Sequence, residues 1–175
     1  MFKNYYIKAA YNACCIDGYK NNWVHLCAMK YALKLGVRCL DFEIYSINDN
    51  PVIASSTSYN ITFKETFNYI PLEKVMRSLL DGFEDEQTYT AFHLNSDPLL
   101  LHFRIKTQQI TTLKKIGLIL HDVFSGSNAL TGIGDHSDKR SYKKGRSTGS
   151  NGVDKELIKN LKNNVIIMLD SLFNS

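Results

Sequence analysis

The sequence predicts an α/β fold built on a parallel sheet, on three observations. Strand-like runs alternate with segments of helical periodicity in the order strand, helix, strand, strand, helix, strand, helix, strand. Two runs, LLLHFRI at residues 99–105 and VIIML at 165–169, are nearly continuous in apolar residues, as in strands covered on both faces. The chain has 175 residues, 44% hydrophobic and 22% charged, the size and balance of one globular domain. A barrel and an open doubly wound sheet both satisfy this pattern. No GxGxxG or Walker-type loop follows the first strand, which argues against nucleotide binding.

Residues 5–15 (YYIKAAYNACC) read as a short buried strand ending near Asn12. Asn21 or Asn22 is placed to cap a helix over residues 23–35. There Val24, Ala28, Tyr31, Ala32 and Leu35 recur at helical spacing, and Gly36 closes the helix. A strand over 37–45 follows, then the polar turn SINDN and a second strand over 52–55. Residues 56–60 read as a loop. Residues 62–70 and 71–80 read as two helices, with Pro71 at a first helical position. An acidic turn at 82–88 and an extended stretch at 89–92 lead, through Ser96-Asp97-Pro98, to the strand at 99–105. Residues 113–124 form a helix. Residues 125–152, rich in Gly, Ser and charge, read as a long loop. A short helix at 156–161 precedes the last strand.

The chemistry concentrates on residues 36–53 (GVRCLDFEIYSINDNPVI). In a strand, Cys39, Asp41 and Glu43 share one face, while Arg38, Leu40, Phe42 and Ile44 share the other. Same-face neighbours lie about 6.5–7 Å apart. Two carboxylates so placed on a buried strand call for a metal, an arginine or a shared proton. A half-buried strand whose acids meet water, or pair with a nearby Lys or Arg, fits the spacing equally. The net charge of +4 is too weak to imply nucleic acid and suits a phosphate-bearing or anionic partner. Cys14, Cys15, Cys27 and Cys39 form no CxxC pair and read as reduced, buried thiols, hence an intracellular setting. No apolar run follows a basic start and none reaches about 18 residues, so neither a signal peptide nor a spanning helix is expected. The expected location is cytoplasmic or peripheral at a membrane.

Three blocks resemble the X region of phosphatidylinositol-specific phospholipase C and its PLC-like phosphodiesterase relatives. YYIKAAYNA is similar to that family's first strand. ALKLGVRCLDFEIYSINDNPVI is similar to its helix end, its acid-bearing Gly-x-Arg-x strand and its Pro-Val-Ile strand. AFHLNSDPLLLHFRIKTQQ is similar to its Ala-Phe, Ser and Pro landmarks, its next barrel strand and the Gln pair beyond. A fainter match lies near 157–170. The resemblance implies a TIM-like barrel, here incomplete at about five of eight strands, with residues 1–175 one partial X-like domain and a long basic loop at about 125–152. The chain resembles only the first part of the domain, as a gene fragment, a truncated paralogue or half of a barrel that a partner completes would.

The resemblance also implies phosphodiester hydrolysis of phosphoinositide-type headgroups by two His residues, assisted in eukaryotic members by Ca²⁺. The metal ligands fall on Asn12, Asp41 and Glu43, but the later Glu ligand falls on Arg104. The two His positions fall on Tyr11 and Ser55. Phosphate-binding lysines fall near Met168 and Asp170. Arg104, Lys106 and His102 become candidates for substrate binding. Arg104 is equally placed to pair with Asp41 and Glu43 without metal. The expected partners are a phosphoinositide or other anionic phosphate, a membrane surface, and no nucleic acid. The alternative is an inactive module that binds anionic headgroups or a protein.

Among the other residues, His102 shares a face with Arg104 and is either a replacement acid–base group or an interior His. His25 and His93 read as surface or packing residues, and His121 as the end of a helix. His136, with Asp135 and Asp138, makes a poor metal site. The basic run 139–146 (KRSYKKGR) suits anionic headgroups or a solvated loop.

Overall fold

The computed structural model describes residues 1–57, 62–84, 97–125, 132–135, 142–143, 146–147, 157–161 and 165–170. In chain order the strands are β1 (Ala9–Ala10), β2 (Cys39–Ile47), β3 (Asn50–Ala54), β4 (Ile70–Pro71), β5 (Leu99–Ile105), β6 (Gly132–Asp135), β7 (Tyr142–Lys143), β8 (Arg146–Ser147) and β9 (Val165–Asp170). The helices are α1 (Leu26–Lys34), α2 (Leu72–Glu84), α3 (Ile110–Ser125) and the short α4 (Ile158–Leu161). A single turn of 3-10 helix, Phe2–Asn4, opens the chain.

The strands form one mixed sheet in the order β4-β3-β2-β5-β9-β6-β7-β8. Strands β1, β2, β5, β9 and β6 run parallel, each to the next. Strands β3 and β4 join antiparallel at one end, and β7 and β8 at the other. The β1 and β3 strands share one edge of β2. Ala9 and Ala10 pair with Cys39 and Leu40, and β3 takes over from Glu43. The chain leaving β1 therefore passes beside Asp41, whose carbonyl accepts from the Ala13 N–H. The β2–β3 hairpin turns on Asn48 and Asp49, with φ of 48° and 59°. Asn and Asp tolerate the left-handed region that a two-residue hairpin turn requires.

Alternation along the strands sorts residues into two faces. Leu40, Phe42 and Ile44 of β2, Leu99, Leu101 and Phe103 of β5, and Val165 and Ile167 of β9 build the main core. Met29 and Leu33 of α1, Leu72, Val75 and Met76 of α2, and Ile116, Leu120 and Val123 of α3 cover it. On the opposite face, Cys39 and Met168 pack against a small cluster of Phe2, Leu100, Leu161 and Ile166. The next layers on that face, toward the C-terminal strand ends, are charged. Asp41 is level with His102, and Glu43 with Arg104.

Several expectations are corrected. Helix α1 begins at Leu26, not at residue 23, and its cap is His25, whose Nδ1 accepts from Cys27 N–H. Asn22 instead accepts from Trp23 N–H, and Val24 bridges to Cys15. Residues 62–69 are not helical. Phe67 N–H donates to the Asn22 carbonyl, and the Asn68 side chain bonds both the N–H and the carbonyl of Val24. These bonds replace the helical ladder. Pro71 belongs to β4, where its missing N–H is tolerated at the sheet edge, and α2 starts one residue later and runs on to Glu84. Helix α3 starts at Ile110 and extends past His121. The loop expected at 125–152 contains β6, which pairs with β9, and the β7–β8 hairpin; the rest of it, like residues 89–92, lies outside the described residues. All four thiols are free, but Cys27 is exposed rather than buried. Among the described residues no helix is long and apolar enough to cross a membrane.

Phe42 and Phe103 are fully buried, with ring centroids 5.9 Å apart. Phe42→Ala is expected to lower the unfolding free energy by about 3–5 kcal/mol, read from a urea midpoint at unchanged m-value. A change below about 0.5 kcal/mol, the range of surface substitutions, contradicts this core assignment.

Candidate functional site

Strands β2 and β5 lie side by side, so their polar layers face each other at matched register. Arg104 is 3% exposed and sits among Asn12, Asp41 and Glu43. Its Nε donates to Asp41 Oδ2 at 3.0 Å. One terminal nitrogen, Nη1, donates to Glu43 Oε1 at 2.6 Å and to the Tyr11 hydroxyl at 2.6 Å. The other, Nη2, donates to Asp41 Oδ1 at 2.6 Å and to Asn12 Oδ1 at 2.8 Å. A guanidinium has five N–H groups, and these five bonds engage all of them. The Tyr11 ring also lies against the guanidinium, 4.1 Å from Cζ to ring centroid.

The two carboxylates are equally engaged. Asp41 accepts further bonds from the Asn12 backbone N–H at 3.1 Å and from His102 Nδ1 at 2.6 Å. Burial pushes the Asp41 carboxyl up, but the bonds from His102, Arg104 and the Asn12 backbone outweigh it and hold the group below the usual carboxylate range. Glu43 Oε2 accepts from the Tyr45 hydroxyl at 2.7 Å and the Ser56 N–H at 2.8 Å. Glu43 Oε1 also lies 3.4 Å from the ammonium of Lys106, which is 2% exposed. Asn12 reaches the site because its backbone turns through the left-handed region, at φ 47°. With Oδ1 committed to Arg104, its buried Nδ2 has no partner among the described residues.

The structure therefore brings Tyr11, Asn12, Asp41, Glu43, His102, Arg104 and Lys106 together, and places Ser55 beside them, next to Ser56, whose N–H donates to Glu43. Ser55 is fully buried; its hydroxyl donates to the Tyr19 carbonyl at 2.9 Å and accepts from the Cys15 thiol at 3.1 Å. Both of these bonds are to groups of the fold, the Tyr19 carbonyl and the Cys15 thiol. Burial raises the Tyr11 phenol above its ordinary value, against the lowering effect of the Arg104 charge. From a starting value of about 10 it stays protonated at neutral pH and is no general base. Arg104 and Lys106, candidates for substrate binding, are turned inward onto carboxylates. His25 caps α1, and His93 and His136 lie outside the described residues.

A divalent cation does not fit this set as it stands. Of the five side-chain oxygens of Asn12, Asp41 and Glu43, four each accept from an Arg104 nitrogen at 2.6–3.0 Å, and the fifth, Glu43 Oε2, accepts from Tyr45 and Ser56. An ion there would meet a fixed positive charge at contact distance. Among the described residues, no group of three or more His, Cys, Asp or Glu is arranged to hold a metal.

Two groups escaped the sequence reading. Tyr45 lies two residues beyond Glu43 on the same face, a period-2 signal that was present in the sequence. The Ser56 N–H carries no such signal, because its position depends on how β3 ends.

The fold is shared with solved structures. The crystal structure of L. pealei PLC21 matches at a TM-score of 0.61 and 16% identity, covering 94% of this chain and 18% of that one. The crystal structure of S. officinalis PLC21 matches at 0.60 and 14%, with the same coverage. The chain thus has a PLC-like fold and spans less than a fifth of the length of those chains. No protein-family model matches the sequence, and no curated protein matches it.

Asp41 sets an acid limit on stability. A carboxyl held low in the fold contributes stability above its unfolded value, about 3.9, and loses it as pH falls through the lower folded value. Urea midpoints are expected to drop below about pH 4 in the wild type, and less steeply in Asp41→Asn. Parallel acid limbs in the two proteins contradict this.

Proposed function

We propose that this PLC-like domain docks on an anionic phospholipid surface and does not cleave the phosphodiester. The observation that carries the second half is the saturation of Arg104. The guanidinium nearest the phosphate position implied by the resemblance has no N–H left for a ligand, and the acids beside it are neutralised. The substituted His positions point the same way: Tyr11 stays protonated, and Ser55 is buried. Losing one general acid or base typically costs about 10²–10⁴-fold in rate.

Docking is supported by exposed aromatics, one of them, Tyr11, over the site. Tyr11, Trp23 and Phe67 are 54%, 54% and 60% exposed. Tyr11 meets Tyr19 edge-on at 5.3 Å, and Trp23 meets Phe67 at 5.6 Å. Lys20, 3.3 Å from Glu65, and Lys64, which donates to the Thr66 and Phe67 carbonyls, lie in the same two loops, and the chain carries a net charge of +4. Aromatics with basic neighbours suit the boundary of a negatively charged leaflet. In this reading the five mutually parallel strands are the first part of a barrel whose other strands come from another segment or partner.

One observation favours a hydrolytic reading. Asp41 Oδ2 meets His102 Nδ1 at 2.6 Å, the carboxylate–imidazole arrangement that orients a general base acting through Nε2. Incubation with phosphatidylinositol vesicles and Ca²⁺ separates the two readings. No inositol phosphate is expected to appear; release that disappears in His102→Ala overturns the non-hydrolytic reading. In sedimentation with vesicles containing phosphatidylinositol, Trp23→Ala and Phe67→Ala are each expected to weaken binding about tenfold. Unchanged binding in both rejects this docking surface.

A further inference from the structure

We propose that Arg104 and Lys106 together replace a divalent cation, and that they hold shut a latent cation site made of Asn12, Asp41 and Glu43. The charges balance in number. Asp41 and Glu43 bring two negative charges into the sheet face at 7% and 1% exposure. Arg104 and Lys106, two residues apart on one edge of β5 and just beyond it, bring two positive charges at 3% and 2% exposure. The guanidinium bridges both acids and the amide oxygen of Asn12, and the ammonium lies 3.4 Å from Glu43 Oε1.

The oxygen set is one that a hard cation takes. It comprises both oxygens of Asp41, Oε1 of Glu43 and the neutral Oδ1 of Asn12, all ranged around the guanidinium of Arg104. The two carboxylates are also held by other bonds, Asp41 by the Asn12 N–H and Glu43, through Oε2, by the Ser56 N–H and the Tyr45 hydroxyl. Those bonds do not depend on either cation. Removing both positive side chains therefore leaves two buried carboxylates held in place beside the Asn12 amide, a pair of acids that a divalent ion satisfies. With only Arg104 removed, Lys106 still opposes the ion.

The test is thermal melting of the full chain, followed by circular dichroism, with chelator or with Ca²⁺. The wild type is expected to melt at the same temperature in both. Arg104→Gln/Lys106→Gln is expected to melt lower than wild type in chelator and to gain about 5 °C or more at about 10 mM Ca²⁺. Arg104→Gln alone is expected to gain less. Adding Asp41→Asn to the double variant is expected to abolish the gain. A Ca²⁺-dependent rise in the wild type that Asp41→Asn removes overturns the proposal. So does a double variant that is indifferent to Ca²⁺, or that stays unfolded with the ion present. The inference shares Arg104 with the non-hydrolytic reading, yet the two fail separately. Inositol phosphate release in chelator overturns that reading alone, whereas Ca²⁺ binding by the wild type overturns this one alone.

Discussion

A buried carboxylate must have a counter-charge, and in this protein one guanidinium serves two of them. The Arg104 bonds to Asp41 and Glu43 link β5 to β2, and the bond to Asn12 links both to the chain leaving β1. Taking one partner away would strand a charge in low dielectric, which typically costs about 3–5 kcal/mol. The polar face of the sheet is organised around meeting that requirement. The hydrogen bonds from Ser56, Tyr45, His102 and the Asn12 backbone complete the acids that Arg104 begins to satisfy.

Sheet geometry makes this economy of partners possible. Parallel pairing sets Glu43 level with Arg104 and Asp41 level with His102. Period-2 alternation sends all four to the face opposite Leu40, Phe42, Leu101 and Phe103. The same alternation places a small apolar cluster around Leu100 and Ile166 beneath the charged layer, closed from below by Phe2 and Leu161. The charged layer is thus bounded on one side by apolar packing and on the other by the exposed Tyr11 ring.

What could be read from the sequence follows from period and composition. The strand at 99–105 has its bounds as expected, the acids share a face, and SINDN is a hairpin turn, because each rests on a local rule. Features set by distant contacts were not legible. Residues 62–69 read as a helix in the sequence, yet Asn68 binds the Val24 backbone and the segment is not helical. Ser55 and Asn12 are both polar residues at strand ends, and only the packed loops direct the hydroxyl to the Tyr19 carbonyl and the amide to Arg104. The pairing of Arg104 with the acids stood as one of several options, since spacing along one strand does not say which cation on another strand arrives.

The bonds that gather around Arg104 also bear on how the chain reaches its folded state. Its partners lie 61 to 93 positions away in sequence, so none can form until distant segments have met. Stripping water from the guanidinium before then is unfavourable, which places this step late in assembly. Interactions absent at the folding barrier act mainly as a brake on the reverse reaction. The charged cluster thus lengthens the lifetime of the native chain more than it hastens its formation.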